Sequence, residues 1–117
     1  MVMSEYKETK NVVLCGASNY EEKFYLNPDF IKLPDSIKDE LKIMCVLFTS
    51  EVGGIITLEF EADGMLCFQV KAEEEDILFD EIGAGLKIRE YQRTKRELLE
   101  SLELYYRVMF LHEKIEL

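Results

Sequence analysis

Tryptophan is missing from this chain, proline occurs twice, histidine once and cysteine three times. Each scarcity removes an explanation. A single histidine, His112, with cysteines scattered at 15, 45 and 67, offers none of the familiar zinc spacings. The same shortage argues against Cys–His catalysis, because nothing marks a third residue to orient the pair. An odd cysteine count without Cys-x-x-Cys fits a reducing cytoplasm. So does the polar N-terminal "MVMSEYKETK", which has no apolar signal core. Long hydrophobic runs are also lacking. The longest, "IMCVLF" at 43–48, falls far below the roughly 20 residues of a membrane span.

Positive charge is scarce too, with 14 Lys and Arg against 24 Asp and Glu and a formal net charge of −10. Such a surface repels phosphate backbones and anionic lipid, so neither nucleic acid nor membrane is expected as a partner. "GAG" at 83–85 has neither the Walker A nor the Gly-x-Gly-x-x-Gly spacing. It follows acids that would repel phosphate, and it reads as a helix stop or kink. Residues 73–81 carry six acids without the alternation of a calcium loop, and read as a solvated helix start. No pair of carboxylates stands out by spacing. No metal, cofactor or catalytic residue is assigned.

What remains is an ordinary globular balance, 48% hydrophobic and 32% charged, over 117 residues. Residues 1–10 read as a flexible tail and 11–117 as a single α+β domain. "NVVLCGA" (11–17) reads as a buried strand stopped by Gly16. "EEKFYLN" (21–27) is a second strand, joined to the first by the turn residues "ASN". "NPDF" makes a turn into "LPDSIKDELKIMCVLFTSEVGG", the clearest helix. Pro34 suits its first turn, Ser36 with Asp39 resembles a capping box, and Gly53 and Gly54 end it. Ile37, Leu41, Met44 and Phe48 form one stripe. Ile43, Val46 and Leu47 widen it, so this helix is expected to be covered on more than one side.

"EADGMLCF" (61–68) sits between two alternating strands, "IITLEFE" and "MLCFQV". A two-residue Asp63-Gly64 turn would pair Phe60 with Cys67 and leave Leu66 and Phe68 beside Glu59 and Glu61. That register wastes an apolar face. A three-residue loop, Ala62-Asp63-Gly64, pairs Phe60 with Leu66, Leu58 with Phe68 and Ile56 with Val70. It also puts Gly64 where a left-handed residue is needed. The sheet then has one apolar and one acidic face. Downstream, 72–83 reads as a short helix ending at Gly83. Residues 86–112 read as one long helix with a seam of Tyr91, Leu98, Leu102, Tyr105 and Met109. The expected fold is a two-layer α+β sandwich. An antiparallel sheet of about four strands carries helices on one face, in the order β-β-α-β-β-α-α.

Two stretches invite a functional reading. "KIREYQRTKR" (87–96) concentrates base, with Arg89, Arg93 and Arg96 at helical spacing. They suit the solvated face of an amphipathic helix, or docking of an acidic partner such as a second copy of this acidic chain. "LYYRVMF" (104–110) places Leu104, Tyr105, Tyr106, Met109 and Phe110 on turns that are apolar on more than one side. These residues suit burial under the protein's own sheet or cover by a twin.

The stretches "VVLCGASNYEEKFYLN", "LPDSIKDELKIMCVLFTSEVGGI" and "DEIGAGLKIRE…ELYYRVMFL" resemble, over nearly the whole chain, a family of small bacterial proteins known only as a domain of unknown function. That resemblance implies a single cytoplasmic domain and no particular activity. At the level of fold alone the element order is similar to roadblock-type adaptor modules. Size and acidity are similar to class I secretion chaperones. The function expected is therefore a non-catalytic, acidic, self-associating interaction module, most simply a homodimer. The alternative is a small-molecule binder or enzyme with a pocket between helix and sheet near Cys15, Tyr20 and Tyr25.

Overall fold

The loop Ala62–Gly64 sets the frame of the molecule. In the computed structural model, which describes residues 11–113, Phe60 pairs with Leu66, Leu58 with Phe68 and Ile56 with Val70. Gly64 lies at φ 93°, and its N–H donates to the Glu61 carbonyl at 2.8 Å while the Glu61 N–H donates to the Met65 carbonyl. The three-residue register expected from the alternation is the one formed. Residues 1–10, expected to be a tail, lie outside those described.

Strand β1 (Val12–Ser18) and β2 (Lys23–Leu26) form the first hairpin. A 3₁₀ turn (Pro28–Phe30) leads to α1 (Asp35–Val52). Then come β3 (Ile55–Phe60), β4 (Leu66–Lys71), α2 (Glu81–Thr94) and α3 (Arg96–Met109). The fold is α+β in the order β-β-α-β-β-α-α, with one antiparallel sheet ordered β2-β1-β3-β4. Gly16 does not stop β1. It pairs with Tyr25 on one side and Thr57 on the other, where an added Cβ would lie 2.7 Å from the Ile56 carbonyl oxygen. The register shifts at Leu14, a bulge that simple alternation did not foretell, and both Leu14 and Cys15 are buried there.

On the helix-covered face Ile56, Leu58 and Phe60 are fully buried with Leu41, Cys45 and Phe48 of α1. Four rings tie α3 to the sheet. Phe60 stacks on Tyr106 at 4.2 Å and on Phe30 at 5.6 Å, and Phe110 lies 4.9 Å from Phe30 and 5.1 Å from Tyr106. The reverse face is mixed rather than acidic. Glu59 accepts from Asn11 and Thr57, while Tyr25, Lys23, Gln69 and Lys71 share that side by register.

Several expected details give way to tertiary packing. Ser36 and Asp39 form no capping box, and Pro34 precedes α1 with no side-chain cap. No helix spans 72–83. Gly83 and Gly85 lie inside α2, whose first turn is capped by Asp80 accepting the Gly83 N–H at 2.8 Å. The long helix breaks at Lys95, because α2 packs on α1 while α3 turns onto the sheet through Tyr106 and Phe60. The Thr94 hydroxyl donates to the Glu90 carbonyl at the break, a bond that bends helices, and Lys95 Nζ reaches Glu40 at 3.0 Å. The buried seam of α3 is Leu98, Leu99, Leu102 and Tyr106, and Met109 points outward.

Candidate functional site

The segment from β4 to α2 displays apolar side chains while its backbone is held firmly. Tyr20 clasps it. The phenol donates to Asp76 Oδ2 at 2.6 Å and accepts the Glu73 N–H at 2.9 Å, and the hydrogen bond to the Asp76 carboxylate raises its pKa. Asp76 Oδ1 accepts the Leu78 N–H at 3.0 Å, closing a local turn. Phe79 folds inward against Gly54, and the Asp80 N–H donates to the Val52 carbonyl at 3.0 Å. With Phe79 committed inward, its neighbours Ile77 and Leu78 project outward, 92% and 87% exposed.

That outward display continues onto α2. Ala84, Ile88 and Tyr91 face the core, and Ile82 and Leu86 face away from it, 78% and 58% exposed. Tyr91 anchors the helix. Its hydroxyl donates to the Met44 carbonyl at 3.1 Å and its ring lies 6.5 Å from Phe48 and 6.4 Å from Phe68. Burial, offset in part by Lys87, pushes its phenol up. Lys87 bridges to Glu51 at 2.9 Å, and that bond raises the lysine's pKa. Arg89 and Arg93 share the outer face with Ile82 and Leu86, and Arg96 is exposed beyond the break. None of the ion pairs among the described residues involves these three arginines.

Further apolar surface remains open on α1, where Ile43, Val46 and Leu47 are exposed rather than covered on a second side. An open groove of ≈ 520 Å³ separates Ile43 and Leu47 from Lys87 and Tyr91. Of the expected C-terminal set, Leu104 and Met109 are exposed beside Tyr105 and Val108. Tyr106 is buried in the ring cluster, and Phe110 is half-buried against it. The structure therefore puts Arg89 and Arg93 on a different helix from the aromatic turns, leaving Arg96 alone of the three on α3.

Among the described residues Cys15, Tyr20 and Tyr25 do not come together around one pocket; Tyr25 alone of the three lines a cavity, of ≈ 340 Å³, beside Gly16 and Thr57. Cys15 is fully buried with its sulfur 3.9 Å from Cys45 Sγ, Tyr25 faces the opposite side of the sheet, and Tyr20 is engaged with Asp76. The hydrogen bond with Cys45, followed by burial, raises the Cys15 thiol far above its ordinary pKa, the reverse of what a nucleophile needs. A cleft of ≈ 490 Å³ does lie between α1 and the first hairpin, but Lys23, Lys42, Val46 and Thr49 line it and none of those three does. Among the described residues no cluster of three His, Cys, Asp or Glu could hold a metal. Among the same described residues no buried side-chain polar atom lacks a partner, and no helix is long and apolar enough to cross a membrane.

Exposure of Ile77, Leu78, Ile82 and Leu86 was the feature that sequence reasoning missed. The signal was present as "ILFDEIGAGL", an apolar run denser than a solvated helix start requires. A model described as "Family of unknown function (DUF6145)" matches residues 11–114. No curated protein and no solved structure matches the chain, so the likeness to roadblock modules gains no support.

Proposed function

The chain belongs to this family of unknown function, and because the family lends no activity we propose, from the surface alone, that the protein is a non-catalytic, self-associating interaction module. One observation carries the reading. Four large aliphatic side chains within ten residues, Ile77 to Leu86, stand 58–92% exposed on a backbone pinned by Tyr20, Val52 and Asp80. Full burial of one such side chain is worth about 1.5–3 kcal/mol, so this surface gains most by meeting another protein. The acid excess supports a partner other than nucleic acid or anionic lipid, and the odd count of three free thiols supports a cytoplasmic setting.

Sedimentation equilibrium across the micromolar range tests the proposal. The expected mass is twice 13.7 kDa, with dissociation on dilution. A concentration-independent monomer refutes self-association.

A further inference from the structure

The outer face of α2 is patterned in a way that selects a partner. Asp80 and Glu81 lie at its start, after the acids Glu73 to Asp76. Ile82 and Leu86 follow, then Arg89 and Arg93. Positions 82, 86, 89 and 93 recur one turn apart and so share one side of the cylinder. The apolar and basic residues thus lie on a single exposed stripe, while the acids sit beside it at the helix start, Asp80 as the cap on the Gly83 N–H and Glu81 about 100° round from Ile82. Turned end for end, the basic end of the stripe meets the acidic start of the helix.

We infer that a second copy of this chain docks α2 against α2 in antiparallel fashion, about a two-fold axis passing near Leu86. This rests on the self-association reading and gives it a geometry. At 1.5 Å per residue, Arg93 lies about 10 Å from the axis on one side and Asp80 about 9 Å on the other, within the reach of one arginine side chain. The axis therefore sets Arg93 of each copy opposite the Asp80–Glu81 corner of its twin, with Ile82 and Leu86 closed between them. Such a contact is isologous and closes at two chains. Gly85 beside the axis has open space around it, so the partner backbone can approach closely.

The other apolar faces lack this property. The exposed side of α1 has Asp39 and Glu40 before Ile43 and Glu51 after Leu47, acid at both ends. On α3, Leu104 follows Glu97 and Glu100, and Arg107 is already paired with Glu113 at 3.3 Å. A parallel α2 pair would oppose Glu81 to Glu81 and Arg93 to Arg93. Only the antiparallel α2 pair brings unlike charges together at both ends.

Charge exchange in the full chain provides the test, read by sedimentation equilibrium with circular dichroism as the control for folding. Leu86→Glu is expected to give a folded monomer, since Leu86 makes up no part of the core. Arg93→Glu is expected to weaken the dimer roughly ten- to a hundredfold, because the loss occurs twice by symmetry. Adding Glu81→Arg to Arg93→Glu should restore the dimer to within about threefold, and equal mixtures of the two single variants should form heterodimers. A dimer that survives Leu86→Glu overturns this geometry while leaving self-association standing. Failure of the double variant to recover overturns the antiparallel pairing. A monomeric wild type overturns both readings, whether residues 1–10 or an unrelated protein then covers the Leu86 face.

Discussion

Tyr91 holds α2, and with it the proposed docking face, to the rest of the molecule. Its removal can be costed in two steps. Tyr91→Phe deletes the bond from the hydroxyl to the Met44 carbonyl and keeps the ring against Phe48 and Phe68. Met44 lies inside α1, so its carbonyl keeps a helical partner and no orphan acceptor results. The expected cost is therefore that of one hydrogen bond, about 0.5–1.5 kcal/mol. Tyr91→Ala removes the ring as well and opens a cavity in the α1–α2 contact, costing about 3–5 kcal/mol. Urea unfolding resolves the two. At an m-value of about 1–3 kcal/mol per molar, the first change moves the midpoint by a few tenths of a molar to about 1 M, with m unchanged. The phenol also titrates upward in the folded state, so the unfolded chain releases its proton first as pH rises past about 10. Stability that is complete below that point is then lost through the folded pKa. Tyr91→Phe should flatten this alkaline decline. Equal costs for the two substitutions, or a hydroxyl deletion without effect at any pH, would refute the assignment of Tyr91 as anchor.

Two further outcomes follow from the core and the turn. Cys15 and Cys45 are buried whereas Cys67 is half-buried, so a thiol reagent at neutral pH should label Cys67 first and the other two only on unfolding. Because the folded Cys15 thiol sits above its unfolded value, stability should begin to fall as pH passes about 8.5, and Cys15→Ala should reduce that slope. An unchanged slope contradicts the burial argument. Gly64→Ala places a Cβ at φ 93° and 2.6 Å from Arg107 Cγ, and should cost about 1–2 kcal/mol by thermal or urea unfolding. A neutral result would mean the hairpin closes differently.

Much of the fold was legible because alternation is a strong constraint. Given Ile56, Leu58 and Phe60 on one strand and Leu66, Phe68 and Val70 on the next, a one-residue slip would expose an entire face, so only one register survives. The stripe of Leu41, Met44 and Phe48 fixed the buried side of α1 in the same way, since a 3.6-residue period leaves little choice. The candidate surface was much less legible. The periodicity of 86–112 is continuous, and no proline or glycine marks position 95. The break there arises because α2 and α3 rest on different partners.

Residue order by itself determined which side chains needed cover, how the second hairpin closed and that acid dominates the surface. Those properties depend on neighbours within a few positions and on summed charge. Only the tertiary structure decided which apolar residues went without cover. Phe79 found a slot over Gly54, Tyr20 pinned the chain at Glu73 and Asp76, and Ile77, Leu78, Ile82 and Leu86 were thereby turned to solvent. Hydrophobicity states that a side chain gains by burial, but contacts from β1–β2 and α1, distant in sequence, settle whether the monomer has room for it.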